Sequence, residues 1–384
     1  MQKILDNDNK LEEYLKNNGF SNPLIVCGHS YYRSSLFNKM NQICEKNNIA
    51  VVYFDGFTPN PTYEEVCDGL KIYKDNNCDS IIAIGGGSAI DVAKCIKMFS
   101  NMNDDELYLN QKIKGNNVPF ITVPTTAGTG SEATHFAVIY YKGEKKSVAH
   151  ESSIPDAVLF DSSFLKTLPL YQKKATMLDA LSHSIESMWS INSNEESIEY
   201  SKEAIELIIK NMHKYLENDE ETFVSILTAA NLAGKAINIT KTTAGHAMCY
   251  KLTSLYGISH GHAAMLINSE LYPFMIDNID KCIDKRGKEH LENVLECISQ
   301  LTLNKDLEES KDYFRNIISD FDLYDVEVNH DDIENLVNSV NVERLSNHPI
   351  KLKKEDIREI YERLFNKIKE KRNESNRLCK DIKK

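Results

Sequence analysis

A change of hydrophobic pattern near residue 168 constrains the fold more than any other feature of the sequence. After this point, helical periodicity continues to the C-terminus. Before this point, apolar strand-like runs alternate with helical stretches, and this alternation predicts a parallel sheet with helices on both faces. We therefore expect an α/β domain over residues 1–168, with a hairpin at 134–148, and an all-helical domain over residues 169–384. The apolar runs that predict strands are 23–28, 50–54, 80–84, 120–124 and 155–160.

The bulk properties of the chain argue against several classes of function. A length of 384 residues suits two domains. The formal net charge of −12 argues against a nucleic-acid partner, because phosphate backbones are bound by basic surfaces. No apolar run approaches the roughly 18 residues of a membrane span, and the N-terminus lacks an apolar signal core. We therefore expect a cytoplasmic protein without a membrane partner. Nine cysteines without a CxxC pair indicate neither a disulfide framework nor a thiolate zinc site.

A glycine run follows the third apolar run directly. Gly85, Gly86, Gly87 and Ser88 stand between a predicted strand and a predicted helix, where unpaired amides and the helix dipole favour an anion such as phosphate. The alternative is a tight turn without a ligand, since the spacing is not the GxGxxG of the common dinucleotide fold. A second loop, at 125–132, is rich in hydroxyl groups that can hydrogen-bond a ligand.

Four residues of the helical half form the pattern of a metal site. Asp179 and His183 are four residues apart, so on a helix their side chains project from one face. His246 and His260 lie fourteen residues apart on later segments. Three imidazoles and one carboxylate suit a divalent ion such as Fe²⁺ or Zn²⁺, and ligand type does not choose between them. A single histidine is more often structural, but the joint pattern favours a metal.

Together these motifs resemble the iron-containing, group III metal-dependent alcohol dehydrogenases, whose fold is similar to that of dehydroquinate synthase. The resemblance runs over nearly the whole chain. It implies an α/β dinucleotide-binding domain, an all-α metal-binding domain, and an enzyme that interconverts a short aldehyde and its primary alcohol by hydride transfer with NAD(P)H. The motifs that carry it are Pro59-Asn-Pro61, Gly85-Gly-Gly-Ser88 with Asp91, Pro124-Thr-Thr-Ala-Gly-Thr-Gly-Ser-Glu132, Asp179-Ala-Leu-Ser-His183 with Glu186, and the spacing of His246 and His260.

Matching the family's motifs position by position gives each residue an expected role. The implied metal ligands are Asp179, His183, His246 and His260, with Fe²⁺ as the expected ion and Zn²⁺ as the alternative. The implied dinucleotide-binding residues are Gly86, Gly87, Ser88 and Asp91 around the pyrophosphate, Thr125, Thr126 and Thr129 at the nicotinamide end, and Lys146 on the hairpin. Such domains often pair, so we expect a homodimer.

One departure from the family pattern lies beside the metal ligands. Many members carry a second histidine four residues after the His246 position, and this chain has Tyr250 there. A tyrosine can relay a proton or simply bound the pocket, so Tyr250 is one candidate for proton transfer in catalysis. His262, which follows the ligand motif, is the other candidate.

A second departure lies at the end of the first predicted strand. Members that prefer NAD carry an acidic residue there for the ribose 2′-hydroxyl, whereas this chain has Cys27-Gly28-His29-Ser30. Loss of the carboxylate removes repulsion toward a 2′-phosphate, and Gly28, His29, Ser30 and Arg33 offer a place for one. The sequence therefore favours NADP(H) over NAD(H).

Basic residues around the His246 segment indicate the substrate. Lys235, Lys241 and Lys251 flank it, where members that act on plain alcohols tend to be neutral. If these lysines face the site, they form an anion pocket. The segment also resembles the family branch that reduces phosphonoacetaldehyde to 2-hydroxyethylphosphonate, so we expect a short aldehyde with an anionic tail.

Two alternatives to this substrate prediction stay open. One is a general short-chain alcohol or diol dehydrogenase of the butanol or 1,3-propanediol type. The other comes from a different enzyme class, a dehydroquinate synthase-like lyase, which returns the hydride within one cycle. The ligand set of one aspartate and three histidines disfavours the lyase, because those enzymes typically resemble a Glu-His-His pattern.

Overall fold

The computed structural model describes residues 2–303 and 306–381 and divides the chain into two compact units. The boundary at residue 168 coincides with the change of hydrophobic pattern. One segment of the predicted helical domain, 218–227, groups instead with the first unit. The first unit comprises residues 1–168 and 218–227, and the second comprises residues 169–217 and 228–384.

The first unit contains a parallel sheet and a separate hairpin, as the sequence predicted. The strands are β1 (Lys3–Leu5), β2 (Pro23–Cys27), β3 (Val52–Phe54), β4 (Ser80–Gly85), β5 (Phe120–Pro124), β6 (Phe136–Tyr141), β7 (Glu144–Ala149) and β8 (Ala157–Leu159). The sheet has the order β1-β8-β5-β4-β2-β3, and β6 pairs with β7 in the antiparallel hairpin. The sequence did not predict β1, because a strand of three residues is too short to show a hydrophobic pattern.

Helices cover both faces of this sheet, because the side chains of each strand alternate between two hydrophobic cores. The helices are α1 (Asp8–Asn17), α2 (Ser35–Lys46), α3 (Tyr63–Asp75), α4 (Gly87–Phe99) and α5 (Ser163–Lys166). On β4, Ile82 and Ile84 pack into one core with α1 and α2, whereas Ile81 and Ala83 pack into the other with α3 and α4. Because β2, β4 and β5 are buried along their whole length, the loops at their carboxyl ends start from a rigid frame.

The second unit is built from helices, as predicted. The helices from residue 170 onwards are α6 (Leu170–Trp189), α7 (Glu195–Leu216), α8 (Phe223–Thr240), α9 (Ala244–Tyr256), α10 (His260–Asp277), α11 (Lys288–Leu303), α12 (Leu307–Ser310), α13 (Tyr313–Asp320), α14 (Ile333–Ser339) and α15 (Lys354–Asp381). α6 is buried over most of its length, and α10 packs against α6, α9, α13 and α15. These two helices form the centre of the unit and carry three of the predicted metal ligands, Asp179 and His183 on α6 and His260 on α10.

The segment Glu220–Thr240 is long and apolar enough to cross a membrane by length and composition, and within the described ranges it alone meets that test. The sequence pattern had indicated no such run. Within the protein, 67% of the apolar window of this segment is buried. A helix in a protein core meets the same test, so the finding is weak evidence for a membrane span.

Candidate functional site

Three of the four predicted metal ligands converge in the second unit. Asp179, His246 and His260 each offer one ligand atom, and these atoms lie within 4.8 Å of one another. Asp179 lies in the middle of α6, His246 on the first turn of α9, and His260 at the first position of α10. His183 is adjacent: its Nε2 lies 4.0 Å from Asp179 Oδ1, and its ring stacks on that of His246 with 4.5 Å between the centroids.

The polar atoms of this group are arranged to hold a cation. Asp179 Oδ1 and His246 Nε2 lie 3.4 Å apart, are buried, and have no hydrogen-bond partner in the described parts of the chain. Buried polar atoms without a partner are costly unless another group completes the site. Carboxylate and imidazole are ligands that Fe²⁺ and Zn²⁺ accept. The residues therefore fit a divalent metal ion.

The pKa values of the group show that its negative potential favours a positive charge. Burial alone would raise the pKa of Asp179, but the neighbouring His183, His246 and His260 outweigh burial and hold this pKa below its ordinary value. Burial alone would lower the pKa of His246, but Glu186 and Asp179 outweigh it and raise this pKa to about 9. The group therefore attracts either a proton or a metal ion.

Glu186 orients His246 from the side opposite Asp179. Glu186 Oε1 accepts hydrogen bonds from His246 Nδ1 at 2.6 Å and from Asn268 Nδ2 at 3.0 Å. Its Oε2 accepts the backbone N–H and the hydroxyl of Thr243 at 2.7 and 2.8 Å. Because the Nδ1 proton of His246 is directed to Glu186, Nε2 is left to face Asp179.

Sequence reasoning assigned no role to Glu186. It lies seven residues after Asp179 and three after His183 on α6, so all three share one face of that helix. This spacing was the available signal. Burial opposes the ionisation of Glu186, but His246 and the hydrogen-bond donors outweigh burial and lower the pKa of Glu186 to about 2.

Two glycines allow the helices to approach each other at the ligand group. A Cβ at Gly245 would lie 2.5 Å from Glu186 Oε1. A Cβ at Gly261 would lie 2.1 Å from the carbonyl oxygen of Ala175 and 2.5 Å from Asp179 Cβ. Since each glycine is a neighbour of a ligand histidine, α9 and α10 reach α6 only because these positions lack a side chain.

Two residues of α9 contact His260. The ring of Tyr250 stacks on the His260 ring, with 5.3 Å between the centroids and 17° between the planes. Cys249 Sγ lies 3.5 Å from His260 Nδ1. Tyr250 is therefore adjacent to the ligand group, one helical turn after His246, as its predicted role requires.

His262 has different surroundings. Its Nε2 donates a hydrogen bond to the Leu323 carbonyl at 2.7 Å, so its Nδ1 accepts the hydroxyl of Tyr171 at 3.1 Å. Its ring is buried, and burial lowers the pKa of His262 to about 4. Because both ring nitrogens are engaged within the fold, these contacts favour a structural role over the predicted proton transfer.

The three predicted substrate lysines lie in different settings. Lys241 is exposed directly after α8 and has a left-handed φ of 58°. Lys235 lies on α8, with its Nζ 5.8 Å from the centre of the Tyr200 ring. Lys251 lies on α9, where the helical repeat places it roughly 140° around the helix from His246. The helix therefore does not direct Lys251 towards the ligands. Of the three lysines, Lys241 is the most exposed and so the most accessible to a small molecule.

In the first unit, the loops after β4 and β5 form the candidate dinucleotide site. Gly86 is the N-cap of α4, and no described side chain caps this helix. A Cβ at Gly86 would lie 3.4 Å from Thr126 Oγ1, and one at Gly87 would lie 3.3 Å from Thr129 Oγ1. Amides at a helix N-terminus beside two hydroxyl groups suit a phosphate.

Other predicted dinucleotide residues lie at the same edge of the sheet. The Thr125 amide donates to the Gly85 carbonyl at 3.0 Å, which joins the two loops. The Gly28 amide donates to the Ile84 carbonyl at 3.0 Å, which places the end of β2 beside β4. Two more predicted residues are Ser30, which precedes a 3-10 turn after β2, and Ser88, which lies in the first turn of α4.

Asp91 and Lys146 are engaged within the protein. The carboxylate of Asp91 accepts the hydroxyl of Ser131 at 2.6 Å and the amide of Val138 at 3.0 Å. Burial raises the pKa of Asp91 against the opposing effect of Lys94. Lys146 forms an ion pair with Glu144 at 2.6 Å on the hairpin. The contacts of Asp91 favour a role in holding the β5 loop and the hairpin to α4.

Sequence reasoning missed Lys94, which completes this attachment. It is buried, and its Nζ donates to Thr134 Oγ1 and to the Phe136 carbonyl, each at 2.9 Å. Burial lowers the pKa of Lys94 to about 8. Its spacing of three residues from Asp91 on a helix was the available signal.

Comparisons with known proteins identify similar chains. Residues 6–162 match the family model for iron-containing alcohol dehydrogenase, and residues 173–365 match the C-terminal model of the Fe-containing alcohol dehydrogenase family. Alcohol dehydrogenase 4 of Schizosaccharomyces pombe is 34% identical over 64% of this chain and 60% of its own length. NADPH-dependent butanol dehydrogenase of Clostridium saccharobutylicum is 31% identical over 69% of each chain.

A solved structure shares the fold. The sulfoacetaldehyde reductase of Bifidobacterium kashiwanohense, solved in complex with NAD⁺, has a TM-score of 0.82. The match covers 95% of this chain and 96% of that one, with 22% sequence identity. At this identity the likeness shows the common fold.

Proposed function

Because the chain belongs to the iron-containing alcohol dehydrogenase family, we propose that it interconverts a short aldehyde and its primary alcohol with NAD(P)H and a divalent metal ion. The observation that carries the proposal is the convergence of Asp179, His246 and His260 within 4.8 Å, with Glu186 behind His246. Fe²⁺ is the proposed ion and Zn²⁺ the alternative. Asp179, His183, His246 and His260 would hold it.

The residues of the chain supply orientation and charge for this chemistry. When bound, the metal ion would polarise the substrate oxygen, and the nicotinamide would exchange hydride with the substrate carbon. Glu186 holds a proton at Nδ1 of His246, which keeps Nε2 available. Tyr250 presents a phenol one helical turn from His246, where it would hold or move the proton that the substrate oxygen gains or loses.

The role of Tyr250 is tested by Tyr250→Phe. This change keeps the ring that stacks on His260 and removes the hydroxyl, so we expect a lower kcat and an altered pH–rate profile with unchanged metal content. Tyr256→Phe, on the same helix but bonded to Asp332, is the matched control. An unchanged pH–rate profile in Tyr250→Phe would remove Tyr250 from the proton transfer.

NADP(H) is the favoured dinucleotide in this proposal. Apart from Gly28 and its two neighbours in the chain, no described atom would lie within 4 Å of a Cβ at Gly28, so there is room beside the end of β2 for a 2′-phosphate. The butanol dehydrogenase relative is named for its dependence on NADPH. Asp55 lies 3.8 Å from His29 and places a negative charge near this corner, which works against a phosphate. Comparison of kcat/KM for NADPH and NADH tests this preference for NADP(H). A strong preference for NADH would refute it.

Phosphonoacetaldehyde is the favoured substrate. Lys241 supports it, because its ammonium group is exposed on the short segment that joins α8 to α9, two residues before Thr243 of the Glu186 network. The second candidate is a general short-chain alcohol or diol dehydrogenase, which the butanol dehydrogenase relative supports.

A panel of phosphonoacetaldehyde, butyraldehyde and 3-hydroxypropionaldehyde separates these candidates. We expect the highest kcat/KM with phosphonoacetaldehyde, and Lys241→Ala to lower this value while leaving butyraldehyde turnover unchanged. Lys214→Ala, on α7, is the control for loss of one positive charge. Preference of the wild-type protein for the uncharged aldehydes would defeat the anionic-tail proposal and leave the general dehydrogenase.

A homodimer and a cytoplasmic location are further parts of the proposal. In the parallel sheet, β1 is an edge strand that pairs with β8 on one side. Edge strands offer backbone groups to a second copy. Light scattering of the purified protein tests the dimer, and fractionation of the source cells tests the location.

A further inference from the structure

The thiol of Cys249 bridges two of the candidate metal ligands. Cys249 lies on α9 three residues after His246 and is fully buried. Its Sγ lies 3.4 Å from the carbonyl oxygen of His246 and 3.5 Å from Nδ1 of His260. One side chain therefore touches the backbone of one ligand and the ring of the next.

The contact with the His246 carbonyl has a fixed direction, whereas the roles in the contact with His260 depend on the tautomer of that ring. A carbonyl oxygen only accepts hydrogen bonds, so the S–H of Cys249 donates to His246. The sulfur then has its lone pairs for the Nδ1–H of His260, and the Nε2 of His260 is left without a proton. A metal ion binds an imidazole through such an unprotonated nitrogen.

We propose that Cys249 is a positioning residue of the metal site: it fixes the ring orientation and the tautomer of His260, as Glu186 does for His246. The inference rests on the proposed metal site. It adds the residue that orients one ligand of that site, His260. Sulfur is a weaker acceptor than a carboxylate. The Cys249 contact is therefore weaker than the contact of Glu186 with Nδ1 of His246 at 2.6 Å.

Two substitutions separate the hydrogen bond from the packing of the thiol. Cys249→Ala removes donor and acceptor, whereas Cys249→Ser keeps both in a hydroxyl. The measurement is the affinity of the metal-free protein for Co²⁺, from competition with a coloured chelator, together with the visible spectrum of the Co²⁺ protein. We expect Cys249→Ala to weaken Co²⁺ binding by about tenfold or more and Cys249→Ser to retain most of the affinity.

Cys95→Ala is the matched control, because Cys95 is an equally buried free thiol on α4 in the first unit. It should leave Co²⁺ affinity unchanged. Equal affinity of Cys249→Ala and the wild-type protein would overturn the inference, and so would an equal loss in Cys249→Ser and Cys249→Ala. Should Cys249→Ala not fold, Cys249→Val takes its place, because valine fills the space of the thiol without a donor or acceptor: weakened Co²⁺ binding supports the inference and unchanged binding overturns it.

The outcome for the wild-type protein separates this inference from the proposed function. Wild-type protein that binds no Co²⁺ would overturn the metal site and the inference with it. Wild-type protein that binds Co²⁺, with an unaffected Cys249→Ala variant, would overturn only the role of Cys249.

Discussion

Glu186 Oε1 accepts the Nδ1 proton of His246 at 2.6 Å, and both side chains are buried. This contact connects the helix that carries Asp179 to the helix that carries His246. It fixes which nitrogen of the ring is available to a metal ion, and a carboxylate partner also makes that nitrogen a stronger ligand.

Glu186→Gln should weaken metal binding. Glutamine keeps the shape of the side chain and removes its negative charge, so it holds the Nδ1 proton of His246 less strongly and makes Nε2 a weaker ligand. We expect a loss of about 10–100-fold in Co²⁺ or Zn²⁺ affinity, measured by chelator competition. Glu289→Gln, an exposed residue on α11, is the control. Unchanged metal affinity in Glu186→Gln would contradict the role of Glu186 in orienting His246.

Gly261→Ala should destabilise the second unit. The added Cβ would lie 2.1 Å from the Ala175 carbonyl, a backbone atom that cannot move independently, so α10 must shift away from α6. We expect a decrease of about 2 kcal/mol or more in the free energy of unfolding, measured by denaturant titration. Gly28→Ala is the control, because no described atom outside Gly28 and its two chain neighbours lies within 4 Å of the new Cβ. A similar decrease in the free energy of unfolding in both variants would argue against the close approach of α10 to α6.

Lys94 should make stability depend on pH in a defined window. Burial lowers its pKa from 10.5 to about 8, so between these values the unfolded chain binds more protons at this group than the folded chain does. The Lys94 contribution to the free energy of unfolding therefore rises with pH in that window. We expect the difference between wild type and Lys94→Met to increase by about 1 to 2 kcal/mol from pH 8 to pH 9.5. A constant difference would show that Lys94 has an ordinary pKa, and a falling difference would show a raised one; either result contradicts the prediction.

Gly28→Asp should shift the dinucleotide preference towards NADH. The position is open, so the carboxylate fits, and it would accept the ribose 2′-hydroxyl while repelling a 2′-phosphate. We expect the ratio of kcat/KM for NADPH to that for NADH to fall at least about tenfold. Gly28→Asn is the uncharged control. An unchanged ratio would place the 2′-phosphate elsewhere.

The fold was predictable in outline because its elements show strong hydrophobic periodicity. The strands around Ile82 and the change of pattern at residue 168 are visible in the sequence. β1 was not predicted, since three residues show no period. The grouping of 218–227 with the first unit depends on tertiary packing, which a local pattern does not report.

The candidate site was predictable where helical spacing sets the geometry. Asp179 and His183 project from one face of α6, as four-residue spacing requires. The contacts of Cys249 with His260 depend on how the chain turns between α9 and α10, and spacing does not encode that turn. The sequence also does not show that the polar atoms of Asp91 and His262 bond within the fold, because their partners Ser131 and Leu323 lie far along the chain.

The most direct test of the metal-dependent dehydrogenase proposal is aldehyde-dependent oxidation of NAD(P)H before and after reloading of chelator-treated protein with Fe²⁺ under anaerobic conditions. The proposal predicts that turnover is lost on chelation and returns with one Fe²⁺ per chain, and that Asp179→Asn neither retains Fe²⁺ nor recovers. Turnover by the metal-free protein at the rate of the reloaded protein would contradict it.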